Sequence, residues 1–584
     1  FYQYSASIAL ELSKFLPADV NLRLPFYASI SESFSNPEFD PYALDISLKD
    51  QVEQIRVLYG SDSADMYQRM VIDYIAIKSL NLTNVRFERG DKAGDPRPWD
   101  KENLDLTLAF TQEYNSTPIL EYDLINRYKA AVGYTFSQKA KYITPFENII
   151  DKKYKWLAPI RDFNFNLLPT AYNFRTEINR QYGETLMRDI YGDGLVDPTF
   201  NKYFTWDRYY GIKLEPAKSI KVDFSATNNA RIDEPFGRID TKEKRDSLLN
   251  NFYDLGRNTN YRHTMSVTYT LPISKLPLFN WVTVKTSYNT SYNWVAGSLG
   301  LSDTLGNTIN NTQAKSLNGE LNFRNLYSKS KFLKQYNSNT SPKQDTKKTT
   351  KGDDEADDKA DDATAEKKKT AVPVVSPPVE TLVRLLISLK RVTLNYSQNY
   401  ATTIPGFMPT SEVMGLNGPT MAPGFGFVFG EQPTYLWMDS IANAGQLSTA
   451  TSMNQLFIQT YNETLDLRAN FEPLKDFRLD INVNKNYSQN ASELYKNTST
   501  LEDPVFEHLN QVDMGTFSIS YSIFGTVFEK LDPKKVSATF KQFEENREII
   551  SSRWSETNPV YSNEEFFNPY DDVLLPNYSE GYGP

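Results

Sequence analysis

Tyr261-Arg262-His263-Thr264-Met265-Ser266-Val267-Thr268-Tyr269-Thr270-Leu271 decides how this chain is read, together with its return arm Val282 to Val295. In the first arm the odd positions are apolar or aromatic, with His263 the exception, and the even positions are polar. After a proline-containing turn, Pro272 to Asn280, the second arm sets Val282, Val284, Tyr288, Tyr292 and Trp294 against Thr283, Lys285, Ser287, Asn289, Ser291 and Asn293. Alternation with a period of two marks a strand whose two faces differ. Each arm has about 11 residues or more, where an ordinary globular strand has about 5 to 6. Eleven residues reach about 36 Å. Tilted by roughly 45°, they span about 25 Å, the height of the apolar band of an outer-membrane barrel. A single such hairpin also fits a soluble sandwich, so recurrence of the pattern decides between the two.

The pattern recurs. Tyr2 to Leu12 alternates from the start, and Leu22, Leu24, Phe26, Ala28 and Ile30 share one face. Lys78 to Glu88, Glu102 to Tyr114, Arg127 to Ser137, Phe204 to Leu214, Ser219 to Asn229, Asn311 to Leu326, Thr381 to Tyr400, Leu465 to Phe471, Phe477 to Tyr487 and Gly515 to Phe528 all read as strands, and Asp162 to Tyr182 as a longer one broken by Pro169. The total comes to about 15 to 18. A short helix is expected over Ser63 to Asp73. Short turns follow Phe15, Leu214, Leu271 and Phe471, and long segments follow Phe34, Asn229, Val295, Tyr400 and Tyr487. Strand parity puts the short turns on one side, as in bacterial barrels with short periplasmic turns. The expected fold is therefore all-β: part of a very large antiparallel transmembrane β-barrel with long loops and a few short helices. Residues 1–336 and 379–530 supply strands and loops. Residues 337–378, with Asp353-Asp354-Glu355 and Lys367-Lys368-Lys369, have little to bury and are expected to be disordered, on the periplasmic side. Residues 531–584 form a helical or irregular tail, with an amphipathic helix over Pro533 to Trp554. Phe1 already lies in a strand, as expected of an internal piece of a longer protein, so a missing export signal says nothing for the cytoplasm.

Composition narrows the function. No run approaches the roughly 18 to 20 apolar residues of a spanning helix, so entry into a membrane requires a closed barrel. A net charge of -10 argues against a nucleic-acid partner. The two histidines, His263 and His508, stand apart and there is no cysteine, which disfavours a structural zinc site and leaves the compartment open. Gly424 to Gly430 is rich in glycine but lacks the Lys and Ser/Thr of a phosphate cradle. It reads as a loop bending between aromatics. No spacing selects a catalytic pair, so no enzyme activity, cofactor or metal is expected. Trp206, Tyr209, Tyr210, Tyr269, Tyr288, Tyr292 and Trp294 are the candidates for a membrane-interface girdle.

Several stretches, in order, resemble the SprA/Sov family, the outer-membrane translocon of the type IX secretion system of the Bacteroidetes, tied also to gliding motility. They are Tyr203-Phe204-Thr205-Trp206-Asp207-Arg208, Ala230-Arg231-Ile232-Asp233-Glu234-Pro235, Tyr269-Thr270-Leu271-Pro272 with Tyr292-Asn293-Trp294, Leu317-Asn318-Gly319-Glu320-Leu321-Asn322-Phe323, Pro405-Gly406-Phe407, Ala422-Pro423-Gly424 with Gly426-Phe427-Val428-Phe429-Gly430, and Asn546-Arg547 with Ile549-Ile550-Ser551-Ser552-Arg553. Before Tyr203 the likeness rests on strand pattern alone. The resemblance implies a very large protein-conducting barrel in outer-membrane lipid. Its partners would be cargo with a C-terminal sorting domain, a plug protein and a PorV-type shuttle barrel. Two alternatives remain: another outer-membrane barrel, such as a nutrient receptor or lipopolysaccharide exporter, and a secreted β-rich adhesin or hydrolase.

Overall fold

The computed structural model describes residues 1–17, 20–90, 94–189, 194, 196–337, 377–474, 477–500, 503–521 and 536–557. Its strands are β1 (Tyr2–Glu11), β2 (Leu22–Arg23), β3 (Pro25–Ser35), β4 (Phe39–Asp40), β5 (Ala43–Ser47), β6 (Asp73–Phe87), β7 (Leu104–Ser116), β8 (Leu120–Ser137), β9 (Ala171–Met187), β10 (Thr199–Ala217), β11 (Ile220–Arg231), β12 (Arg257–Leu271), β13 (Val282–Val295), β14 (Asn307–Asn322), β15 (Leu389–Phe407), β16 (Phe457–Leu474), β17 (Phe477–Asn497) and β18 (Phe506–Ile519). All but β4 and β5 join one 16-stranded antiparallel sheet, ordered β1-β3-β6 and then consecutively to β18, with β2 beside β6. Every long strand pairs with its neighbours in sequence, because alternating two-faced strands joined by turns fold most directly into a meander. The hairpin at β12 and β13 forms as expected, with Tyr261 opposite Trp294 and Leu271 opposite Val284.

Opposed residues in an antiparallel pair share a face, so the pairing sorts every side chain. One face collects Leu106, Val132, Thr176, Arg208, Asn228, Tyr261, Trp294, Ile309 and Ile404 along a single hydrogen-bonded row. It is apolar and aromatic for much of its height. The other face is built from residues such as Ser225, Thr264, Asn289, Ser291 and Thr312. A trough of about 800 Å³ on that polar side has these five in its lining, with Asn173, Tyr209, Lys213 and Asp223. Among the described residues the other sheet is the two-stranded β4–β5 pair, too small to cover the apolar face.

The turns after Phe15, Leu214, Leu271 and Phe471 do share one side, and the connections after β3, β11, β13, β15 and β17 share the other; β15 and β17, however, run on past Tyr400 and Tyr487 to Phe407 and Asn497, so no long segment begins at either tyrosine. The asymmetry is not complete. The three residues between β7 and β8 lie on the long-loop side, while the long β8–β9 and β14–β15 connections lie on the short-turn side. The expected disordered insert belongs to the latter connection. Most of it, residues 338–376, is outside the described residues, but its edges are helical: Lys331–Asn337 and Pro377–Leu386. Thr381 to Leu386 is thus helix rather than strand, its Val379, Leu382 and Leu386 at helical spacing. Above β3 two helices form instead of one, α1 (Leu48–Tyr59) and α2 (Ser61–Val71). Ser47 caps α1 by accepting from the Asp50 N–H. Leu48 and Val52 then bury against Ala64 and Val71. The long-loop side also carries α3 (Lys242–Tyr253) and α4 (Tyr435–Asn443). The tail helix, α5, spans Ala538–Thr557. Residues 558–584 and the end of the expected strand to Phe528 lie outside the described residues.

Candidate functional site

Two long-side connections fold back over the apolar face instead of standing free. The larger, residues 408–456 between β15 and β16, forms the main core of the structure. Tyr261, Tyr292, Trp294, Ile309 and Ile404 of the sheet bury against Leu416, Ala422, Phe427, Val428, Met438 and Ile441 of the segment. Phe427 stacks on Trp437 at 5.1 Å and meets the Tyr292 ring edge-on at 6.1 Å. Polar groups lock the same interface. His263 Nε2 lies 3.0 Å from the Val428 carbonyl, Asn311 Nδ2 donates to the carbonyls of Phe427 and Glu431, and the Tyr288 hydroxyl donates to Phe429. These bonds matter because a buried backbone carbonyl without a partner costs about 1–3 kcal/mol.

Glycines let the segment come this close. Gly415 has φ +88°, and a Cβ there would sit 2.5 Å from Tyr292 Cε1. The Gly424–Gly430 run bends between aromatics as expected, with one helical turn at Phe425–Val428 and φ +100° and +96° at its two end glycines.

The second connection, residues 232–256, covers β9 and β10. The Arg180 guanidinium donates to both Glu234 oxygens at 2.6 and 3.1 Å, Arg238 Nε donates to Glu184 at 2.9 Å, and Phe252 of α3 stacks on Trp206 at 5.0 Å.

Below these covers the apolar face is bare. Its exposed residues include Leu104, Leu106, Leu108, Val132, Phe174 and Tyr210 in the first half, and Leu479 and Ile481 in the second. The band they form does not follow the hydrogen-bonded rows. The row of Leu106 in the middle of the band on β7 arrives, eight strands later, at Ile404 on β15, beneath the folded segment. On β15 the apolar stretch is centred instead on Leu394, ten residues away, with Val392 and Tyr396 beside it. Ten residues over eight steps is roughly 4 Å along the strand for each 4.8 Å across it, an oblique angle of about 40°. The band passes through Ile212, Phe224, Val267, Thr286 and Leu317 on the way, Phe224 at its upper margin packing against the edge of the core. Its upper boundary is a row of rings. Tyr400 and Tyr461 lie 4.5 Å apart, Tyr461 and Tyr487 5.8 Å apart, and in the first half Phe34, Tyr74 and Tyr114 run on at 4.8 and 5.9 Å.

The seven girdle candidates are therefore scattered. Tyr292 and Trp294 are corrected: they are 0% and 2% exposed beneath residues 408–456 and face protein. Tyr209 lies on the polar face, since its partners are Thr227 and Arg175, whereas Tyr210 lies on the apolar one. Trp206 is covered by Phe252. Tyr269 and Tyr288 lie within the oblique band, the second at its upper edge. The continuous ring rows at Tyr74, Tyr114, Tyr400, Tyr461 and Tyr487 were missed. Their alternation was visible, but the register that aligns them was not.

One comparison bears on what such a wall serves. Residues 1–52 match the SprA_N family model, described as a motility related/secretion protein. The match covers β1 to β5 and the first turn of α1, a region where the resemblance rested on strand pattern alone. No curated protein matches the chain.

Proposed function

We propose that this chain is part of the wall of an outer-membrane, protein-conducting barrel of the SprA type, with a mechanical and not a catalytic role. The observation that carries it is the oblique apolar band. A membrane is level, and barrel strands tilt by about 35–45°. A lipid-facing band must therefore cross the hydrogen-bonded rows at that same angle, and about 40° is what the register yields. A soluble sandwich would bury its apolar face under a second sheet and has no reason to confine it to one oblique stripe.

In this reading the bare band meets lipid, the ring rows sit at the upper interface, and the folded segments clad the strands where they rise out of the bilayer. The polar face lines the conduit. That wall carries hydroxyls, amides and charges largely paired with one another, such as Arg127 with Glu113 and Lys129 with Glu177, so it offers a passing protein little unbalanced field to stick to. Fifteen long strands already approach the 16–18 of a porin, and β1 and β18 each have one partner among the described residues. A barrel that pairs those two edges with further strands has protein-sized width.

The family match to a motility related/secretion protein supports cargo export over nutrient uptake. Cargo with C-terminal sorting domains, a plug protein and a PorV-type shuttle barrel are the partners this reading assigns. The test is deletion of the gene in its own host. Sorting-domain proteins should accumulate in the periplasm, and a PorV-like barrel should co-purify with the detergent-solubilised protein. Normal secretion in the deletion strain would reject the assignment.

A further inference from the structure

At the upper edge of the bare band, where leucines give way to tyrosines and glutamines, a crevice of about 520 Å³ opens between the sheet and the underside of residues 408–456. The sheet contributes Tyr288, Gln313, Lys315 and Tyr400, and the segment contributes Phe429, Glu431 and Gln432. The neutral groups are largely engaged with one another. Tyr288 donates to Phe429, and Gln313 donates to Tyr288 at 3.2 Å and to the Gly430 carbonyl at 2.8 Å. The two charged groups are not. Lys315 Nζ lies 6.0 Å from the Tyr400 ring centre, and among the described residues neither Lys315 nor Glu431 forms an ion pair.

A cation and a carboxylate thus line one crevice without meeting. We propose that the crevice is a lipid-headgroup site selective for phosphoethanolamine. Lys315 takes the phosphate and Glu431 takes the primary ammonium. Both contacts are charge-assisted hydrogen bonds, and the second requires N–H donors that a choline headgroup lacks. The flat pair Phe425 and Phe429, stacked at 6.4 Å with Phe425 exposed, gives the attached acyl chain a wall to follow. A bound headgroup would bridge the sheet to the folded segment, so the lipid would act as a clamp on that cover. The headgroup chemistry is the same whether a glycerophospholipid or a phosphoethanolamine-modified outer-leaflet glycolipid carries it.

The inference rests on the membrane reading above, and its test separates the two. The full detergent-purified protein is titrated with lipids of identical acyl chains bearing phosphoethanolamine, phosphocholine or phosphoglycerol, and with lipid A with and without phosphoethanolamine, by native mass spectrometry. Phosphoethanolamine carriers should bind about tenfold more tightly than the others. Lys315→Gln should remove that binding, while Glu431→Gln should shift the preference to phosphoglycerol. The two lipid A arms identify the carrier. Equal binding of all headgroups, or no change in either variant, would overturn the site and leave the barrel standing. A protein that takes up no lipid and stays soluble without detergent would sink both.

Discussion

Replacing Phe427 with alanine should release residues 408–456 from the sheet while leaving the barrel wall intact. Phe427 is 3% exposed, stacks on Trp437 and touches Tyr292. Truncating a buried phenylalanine costs about 3–5 kcal/mol. Here the loss falls on the docking of one segment, because the strand ladders of β13 to β16 do not depend on this side chain. At about 1.4 kcal/mol per factor of ten, the open population should rise by roughly two to three and a half orders of magnitude. Proteolysis of a transiently opened segment follows that population when closing is faster than cleavage. The assay is limited proteolysis of the detergent-solubilised protein, with cleavage sites mapped by mass spectrometry. Cuts should concentrate in residues 408–456. Phe425→Ala is the control, since Phe425 is 55% exposed and gives up little packing. Equal cleavage rates in the two variants, or cuts spread through the strands of Phe427→Ala, would refute the docking argument.

Three further outcomes are expected. Gly415→Ala, which adds a Cβ against Tyr292 at a φ of +88°, should loosen the same segment with a cleavage pattern matching Phe427→Ala. Leu394→Arg should lower unfolding stability in bilayers by about 2–4 kcal/mol, whereas Thr393→Arg on the polar face should be near neutral, as measured by urea unfolding. Tyr67→Phe removes the 2.6 Å hydrogen bond to the buried carboxylate of Asp40. It should speed hydrogen exchange in α1 and α2, at a cost of about 1–3 kcal/mol confined to that helix pair.

The strands and their two faces were legible because alternation is written residue by residue, as at Tyr261 to Leu271. What a face meets was not, because that depends on register and on contacts far away in sequence. Tyr292 looks like an interface residue in its own strand. It is buried by Gly415 and Phe427, more than a hundred residues later, and those residues read only as a bend among aromatics. The oblique course of the apolar band was likewise hidden, since each strand shows its own apolar stretch but not its height relative to the next. Helix α1 was hidden inside the long segment after Phe34 although Leu48, Val52 and Ile55 have helical spacing, because Pro37 and Pro41 just before it signal a turn-rich stretch.

Depth measurement by spin labelling tests the tilted, lipid-facing wall most directly, and the absence of cysteine makes single-site labels clean. Labels at Leu106, Val267 and Leu394 should report the same deep position in the bilayer, while labels at Thr393 and Asn395 report water. If Leu106 and Leu394 instead differed in depth by about 33 Å, the rise of ten residues along an upright strand whose hydrogen-bonded rows lie level, or if all five positions saw only water, the central claim would be contradicted.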